Sequence, residues 1–189
     1  MKQSALYGFC CLSALAVFLL PAQADDRADD AVQRLGAQLI AAPSATQFLT
    51  SKCAGLKLAS PAVIHALRDK DADTKAGPGI RKLLDVGSNA RLGYRRVKLT
   101  CGSHVLSEAD NWYVPDRLTP DMNHALDTTD VPFGTVVKPL NFHRKTIRME
   151  PLPDPAHDLR VTALLVTGKG KPFSVVIENY SRALTGGPR

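Results

Sequence analysis

Residues 94–101 read Tyr-Arg-Arg-Val-Lys-Leu-Thr-Cys and alternate with a period of two. Arg95, Val97, Leu99 and Cys101 share one side, and Arg96, Lys98 and Thr100 share the other. A helix repeats its faces every 3.6 residues and cannot sort a run this way, whereas an extended strand does so automatically. Gly102-Ser103 is a turn signal, so a hairpin is expected to return through residues 105–114 and to end at Pro115. A second hairpin is expected from residues 159–167 and 173–180, which flank Gly168-Lys169-Gly170-Lys171. Residues 136–140 and 142–149 are further strand candidates, and Pro151, Pro153 and Pro155 mark a loop.

Helical signals lie mostly before the first hairpin. Residues 29–42 place Val32, Leu35, Leu39 and Ile40 on one stripe, and Pro43 breaks the run. Ser44 is positioned to cap a second helix reaching about residue 56, with Phe48, Leu49 and Cys53 as its apolar face. Residues 61–67 form a short apolar stretch of strand or helix type, and residues 68–78 form a charged, exposed connection. Thr119-Pro120 is an N-cap followed by proline at the first helical position, so a short helix is expected to about residue 126, before a tight loop at 131–134. Helices followed by sequential hairpins imply an α+β fold, an antiparallel sheet with helices packed on one face.

The chain opens as an exported protein does. Lys2 precedes an apolar run from Ala5 to Leu20, Pro21 ends it, and Ala22-Gln23-Ala24 supplies a small-x-small cleavage site before Asp25 and Asp26. The apolar core of about 16 residues falls short of the ~20 needed to span a bilayer. Residues 1–24 are therefore expected to be a cleavable signal peptide, and residues 25–189 a single exported domain, periplasmic or secreted. No later segment is apolar enough to span a membrane. The net charge of +6 is spread along the chain rather than massed. That distribution suits a small anionic ligand or surface, and together with export it argues against nucleic acid as a partner.

Cys53 and Cys101 remain after cleavage. In an oxidising compartment they can form a disulfide, and two buried free thiols are the equal alternative. The five histidines have no metal-ligand spacing, and no Cys-x-x-Cys is present, so no metal and no cofactor are expected. The Gly168–Lys171 segment lacks phosphate-loop spacing and is followed by a strand pattern instead of a helix.

Two charges fall where alternation predicts core. Arg95 shares its side with Val97 and Leu99, and Glu178 shares its side with Val176 and Tyr180. A charge in such a position is costly unless it is paired or awaits a ligand. Either Arg95 and Glu178 pair with each other, or one faces water at an edge, or they form a pocket in which Arg95 holds an anionic group by bidentate contact.

These residues carry a resemblance. Arg95-Arg96-Val97-Lys98-Leu99, a turn, and then Ala109-Asp110-Asn111-Trp112-Tyr113-Val114-Pro115 resemble the central hairpin of chorismate pyruvate-lyases. Pro132-Phe133-Gly134 resembles that family's Pro-Leu-Gly loop. Gly170-Lys171-Pro172 followed by Val175-Val176-Ile177-Glu178 resembles its closing strand. The three blocks keep the family's order over residues 84–184. Residues 84–115 resemble equally the ligand-sensing UTRA domains of transcriptional regulators, which are similar in fold.

The resemblance implies a chorismate-lyase-like fold, with Arg95 holding the ring carboxylate, Phe133 and Gly134 beside the ring, and Glu178 near the substrate's hydroxyl end. Arg96 stands where the family has glutamate. A one-residue difference in the hairpin makes Arg96 a rival for the anion-binding role. Two functions follow as expectations. One is a carbon–oxygen lyase, with Arg95 and Glu178 catalytic, releasing pyruvate from chorismate and leaving 4-hydroxybenzoate. The other is an exported module that binds a small aromatic or other carboxylate without chemistry.

Overall fold

The computed structural model describes residues 22–152 and 154–186. The expected signal segment lies outside them except for its last three residues. Among the described residues, no helix is long and apolar enough to cross a membrane.

Six strands form one sheet in the order β1-β2-β3-β6-β5-β4, and every neighbouring pair is antiparallel. They are β1 (Ile64–Asp69), β2 (Gly93–Cys101), β3 (His104–Tyr113), β4 (His143–Pro151), β5 (His157–Val166) and β6 (Pro172–Ser181). Each hairpin predicted from alternation and turn residues is present, and Gly102 takes the positive φ (55°) that the first turn requires. The α+β architecture expected from the sequence is the one found.

Two helices cover one face of the sheet. α1 (Ala22–Ala41) buries Leu35 and Leu39, four residues apart. Ile40, expected on the same stripe, is 63% exposed, because one further residue turns the side chain about 100° around the axis. α1 approaches the sheet closely at Gly36, where an added Cβ would meet the Met149 sulfur. α2 (Ala45–Gly55) starts at Ser44, whose hydroxyl accepts from the Gln47 N–H, and it buries Phe48, Leu49 and Cys53. These side chains join Val97, Leu99, Leu159, Val161 and Tyr180 in the main core.

The sheet's reverse face has its own cover. The exposed connection gives way at Pro78 to a short helix, α3 (Pro78–Leu83), which sequence reading did not anticipate. Leu84 and its neighbours pack there on Trp112, Leu164 and Val175.

The long crossing from β3 to the far edge strand β4 carries α4 (Pro120–Thr128), capped by Thr119 as expected, and α5 (Phe133–Val136). Residues 136–140, expected as a strand, are helical instead: α5 runs into a 3₁₀ turn at Lys138–Leu140. Pro139 explains the difference, since it has no N–H to give a ladder but fits the first turn of a helical segment. Val137, between the two turns, is fully buried.

Cys53 of α2 and Cys101 at the end of β2 form a disulfide, with their Cα atoms 5.9 Å apart. The bridge ties the covering helix to the sheet. At a sequence separation of 48, loop-closure entropy assigns it about 4 kcal/mol. Replacing both cysteines by serine is expected to lower the free energy of unfolding by about 2–4 kcal/mol in urea titrations. Equal midpoints for the two forms would show that the bridge adds nothing.

Candidate functional site

A narrow cavity lies between the helix-covered face of the sheet and a roof of two pieces. Ser44, Ala45 and Thr46 supply the first turn of α2, and residues 132–134 supply the entry to α5. The two pieces touch at Gly134, where an added Cβ would stand 3.0 Å from the Thr46 hydroxyl. The space amounts to about 60 Å³ for the centres of water-sized molecules. One water needs about 10–15 Å³ on that measure, so the cavity has room for a few waters or one small ligand. Its walls are apolar, with Val97, Leu99, Val176 and Phe142 among them, and a few polar groups converge on it. That combination is typical of small-molecule sites.

Sheet register decides which polar groups meet there. Arg95 on β2 stands opposite Asn111 on β3, which stands opposite Val176 on β6. One pleat further along, Val97, Ala109 and Glu178 line up in the same way. Arg95 and Glu178 therefore share a face, as alternation predicts, but lie two strands apart.

They do not pair. Glu178 Oε2 accepts from Arg144 Nη2 at 2.8 Å and from the Tyr180 hydroxyl at 2.8 Å. Arg144 and Glu178 are both almost wholly buried, with 5% and 4% of their side chains exposed. Burial, the largest single influence, acts to lower the Arg144 pKa, but the Glu178 charge, Tyr180 and the hydrogen bond to Glu178 together raise the guanidinium above its ordinary value. Burial, and then the Glu178 charge, pushes the Tyr180 phenol well above its ordinary value, so it stays neutral and donates.

Arg95 has no such partner. It is 2% exposed, and its Nε and Nη2 are buried without a hydrogen bond. Burial lowers its pKa, and Arg68 adds to the effect, while Tyr113, Asp127 and Asp130 act weakly the other way. An arginine remains charged through any such shift of ordinary size. The result is a buried cation whose Nε and Nη2 find no acceptor among the described residues.

Of the residues singled out from the sequence, Arg95, Phe133, Gly134 and Glu178 line the cavity. Arg96 does not. It points to the reverse face, 45% exposed, near Glu108 and Asp110 at 3.8 and 3.6 Å, because neighbouring strand residues face opposite ways. Trp112 also faces away, donating its indole N–H to the Thr74 carbonyl at 2.8 Å, so its bulk does not narrow the cavity. Asn111 does face the cavity, and its Oδ1 accepts from Ser174. Phe133 packs beside Tyr113, with ring centres 5.5 Å apart, and stacks near Phe173.

Sequence reading missed Arg144. It is one of three cations on β4, with Lys145 and Arg148, and alternation within a half-exposed edge strand did not mark it out. Arg144 Nε, like the Arg95 nitrogens, is buried without a partner. Among the described residues, no three His, Cys, Asp or Glu side chains cluster as a metal site would need.

The sheet and its roof frame a small cavity, and the fold of the chain is similar to that of solved structures. PhnF from Mycobacterium smegmatis superposes with a TM-score of 0.50 at 9% identity, over 64% of this chain and 59% of that chain. The effector domain of the same PhnF gives 0.49 at 9% identity, over 64% and 82% of the two chains. The ligand-binding domain of a putative GntR-family regulator from Bordetella bronchiseptica gives 0.48 at 15% identity, over 63% and 83%. The match to PhnF shows the fold, and this chain spans 59% of PhnF's length. No model of a known protein family matches the chain.

The uncharacterized protein y4mC of Sinorhizobium fredii (strain NBRC 101917 / NGR234) is 40% identical over 173 residues, covering 79% of this chain and 73% of y4mC. The chain belongs to the family of that protein.

Removing one partner of a buried ion pair strands the other. Arg144→Met is expected to cost on the order of 3–5 kcal/mol of stability, and adding Glu178→Gln should recover most of it. A chemical denaturation series on the two variants checks this. No recovery in the double variant would mean that Arg144 acts through packing alone.

Proposed function

We propose that this protein binds a small carboxylate in the cavity without transforming it, and that it does so outside the cytoplasm. The observation that carries the reading is Arg95, a buried guanidinium with two unpartnered nitrogens on an apolar cavity. Holding such a charge in place costs several kcal/mol. A carboxylate bound bidentately to Arg95 would recover that cost, since charge-assisted bonds are the strong ones. Fold-level similarity to ligand-binding and effector domains agrees with this reading but does not carry it.

The lyase alternative asks Glu178 to help the ether oxygen depart by lending it a proton. Glu178 instead accepts two hydrogen bonds on Oε2, one from the Arg144 guanidinium and one from the Tyr180 hydroxyl, so its carboxyl is engaged within the protein. That geometry favours binding over turnover. Export is supported by the signal-like residues 1–24 and by the Cys53–Cys101 disulfide, which suits an oxidising compartment.

The test is a thermal-shift panel of aromatic and aliphatic carboxylates, run with and without Arg95→Ala, alongside an assay for pyruvate release from chorismate. A binding acid at 100 times its dissociation constant should stabilise the protein by about 2.7 kcal/mol. Arg95→Ala should weaken it by about 10–100-fold, as loss of charge-assisted bonds of ~1.5–3 kcal/mol implies. No response to any acid would refute the binding reading. Pyruvate release above the uncatalysed rate would replace it with the lyase.

A further inference from the structure

The charges on the cavity do not balance. Arg95, Arg144 and Glu178 line it, and the remaining polar lining groups, such as Asn111 and Thr46, are neutral. Two cations and one anion leave a single positive charge. The ion pair is geometrically closed, with Arg144 Nη2 on Glu178 Oε2 at 2.8 Å and Tyr180 on the same oxygen. The surplus charge therefore sits on Arg95.

We propose that Arg144 sets the charge of the ligand. By neutralising Glu178 it leaves Arg95 as the one unpaired cation, and so selects a small monoanion, with one carboxylate and a neutral far end, over a dianion. The inference rests on the carboxylate-binding reading above and specifies its substrate class.

The register gives the two ends their places. Arg95 lies on β2 and Glu178 on β6, with β3 between them. Strands are spaced about 4.8 Å apart, so the two backbones are roughly 10 Å apart across the sheet. An acid anchored at Arg95 lies over Ala109 and Val176 and brings its far end to the Arg144–Glu178 pair. A neutral polar group can meet Arg144 Nε, which is buried and unpartnered. A second carboxylate would arrive beside the Glu178 carboxyl, whose one guanidinium partner is Arg144, in a site with little water to screen like charges. The same charge count disfavours chorismate, which carries two carboxylates.

The experiment is a calorimetric titration of the purified protein at neutral pH with 4-hydroxybenzoate and terephthalate. These share a ring and one carboxylate, and differ in whether the opposite group is neutral or charged. The unmodified protein should prefer 4-hydroxybenzoate by at least about tenfold. Glu178→Gln, which leaves two unpaired cations, should shift the ratio toward terephthalate by at least about tenfold.

Because that variant strands Arg144, a second one is needed. Arg144→Gln combined with Glu178→Gln leaves Arg95 as the sole charge and should keep the preference for the monoacid. Equal binding of the two acids by the unmodified protein, or a ratio unmoved in Glu178→Gln, overturns this inference alone. Failure of the unmodified protein to bind either acid overturns this inference, and the carboxylate reading falls with it only if the wider thermal-shift panel is also silent.

Discussion

A charge taken out of water must find a partner or raise the free energy of the fold, and on one face of this sheet three charges have been taken out of water. Arg144 and Glu178 answer that demand within the protein. Arg95 does not. The rest of the site is arranged around this asymmetry. The ion pair holds the β4–β5–β6 side of the cavity in a fixed geometry, and Tyr180 fills a further acceptor position on Glu178. The β2 side is left with donors and no acceptor.

The surrounding fold makes the asymmetry sustainable. Apolar residues of α1 and α2 close over the same sheet face, so the charges sit beside a core rather than at its edge. The disulfide joins α2 to the end of β2, and the first turn of α2 is also part of the cavity roof. Covering helix, anchoring strand and roof are thus one connected unit. A cavity roofed in this way limits the water around its charges, which strengthens electrostatic contacts made inside it.

The sheet was legible because alternation reports it directly. Arg95, Val97, Leu99 and Cys101 fall on one face as their period demands, and Ser44 and Thr119 cap the helices they were expected to cap. Local signals failed where a distant contact decides the outcome. Arg144 looks like its neighbours on β4 until Glu178, 34 residues away and two strands over, is brought within hydrogen-bond reach. Arg96 competed with Arg95 on sequence similarity, although strand geometry alone assigns it to the reverse face. α3 is only six residues long, and it is defined less by its own pattern than by the reverse-face surface it covers. At residues 136–140 the β-branched run suggested a strand, and one proline outweighed it.

The strand order carries a last consequence. β6 is the last strand among the described residues, yet it sits between β3 and β5 and is bonded to both. Without it, β1-β2-β3 and β5-β4 would be two separate ribbons, each with an open edge. Both cysteines of the bridge lie in the earlier ribbon and its covering helix, whereas Glu178 and Tyr180 arrive only with β6. Emerging from its N-terminus, such a chain could tie α2 to the first hairpin while the cavity was still unbuilt. The two halves become one sheet only when the last strand threads between them, and the counter-charge for Arg144 comes with it.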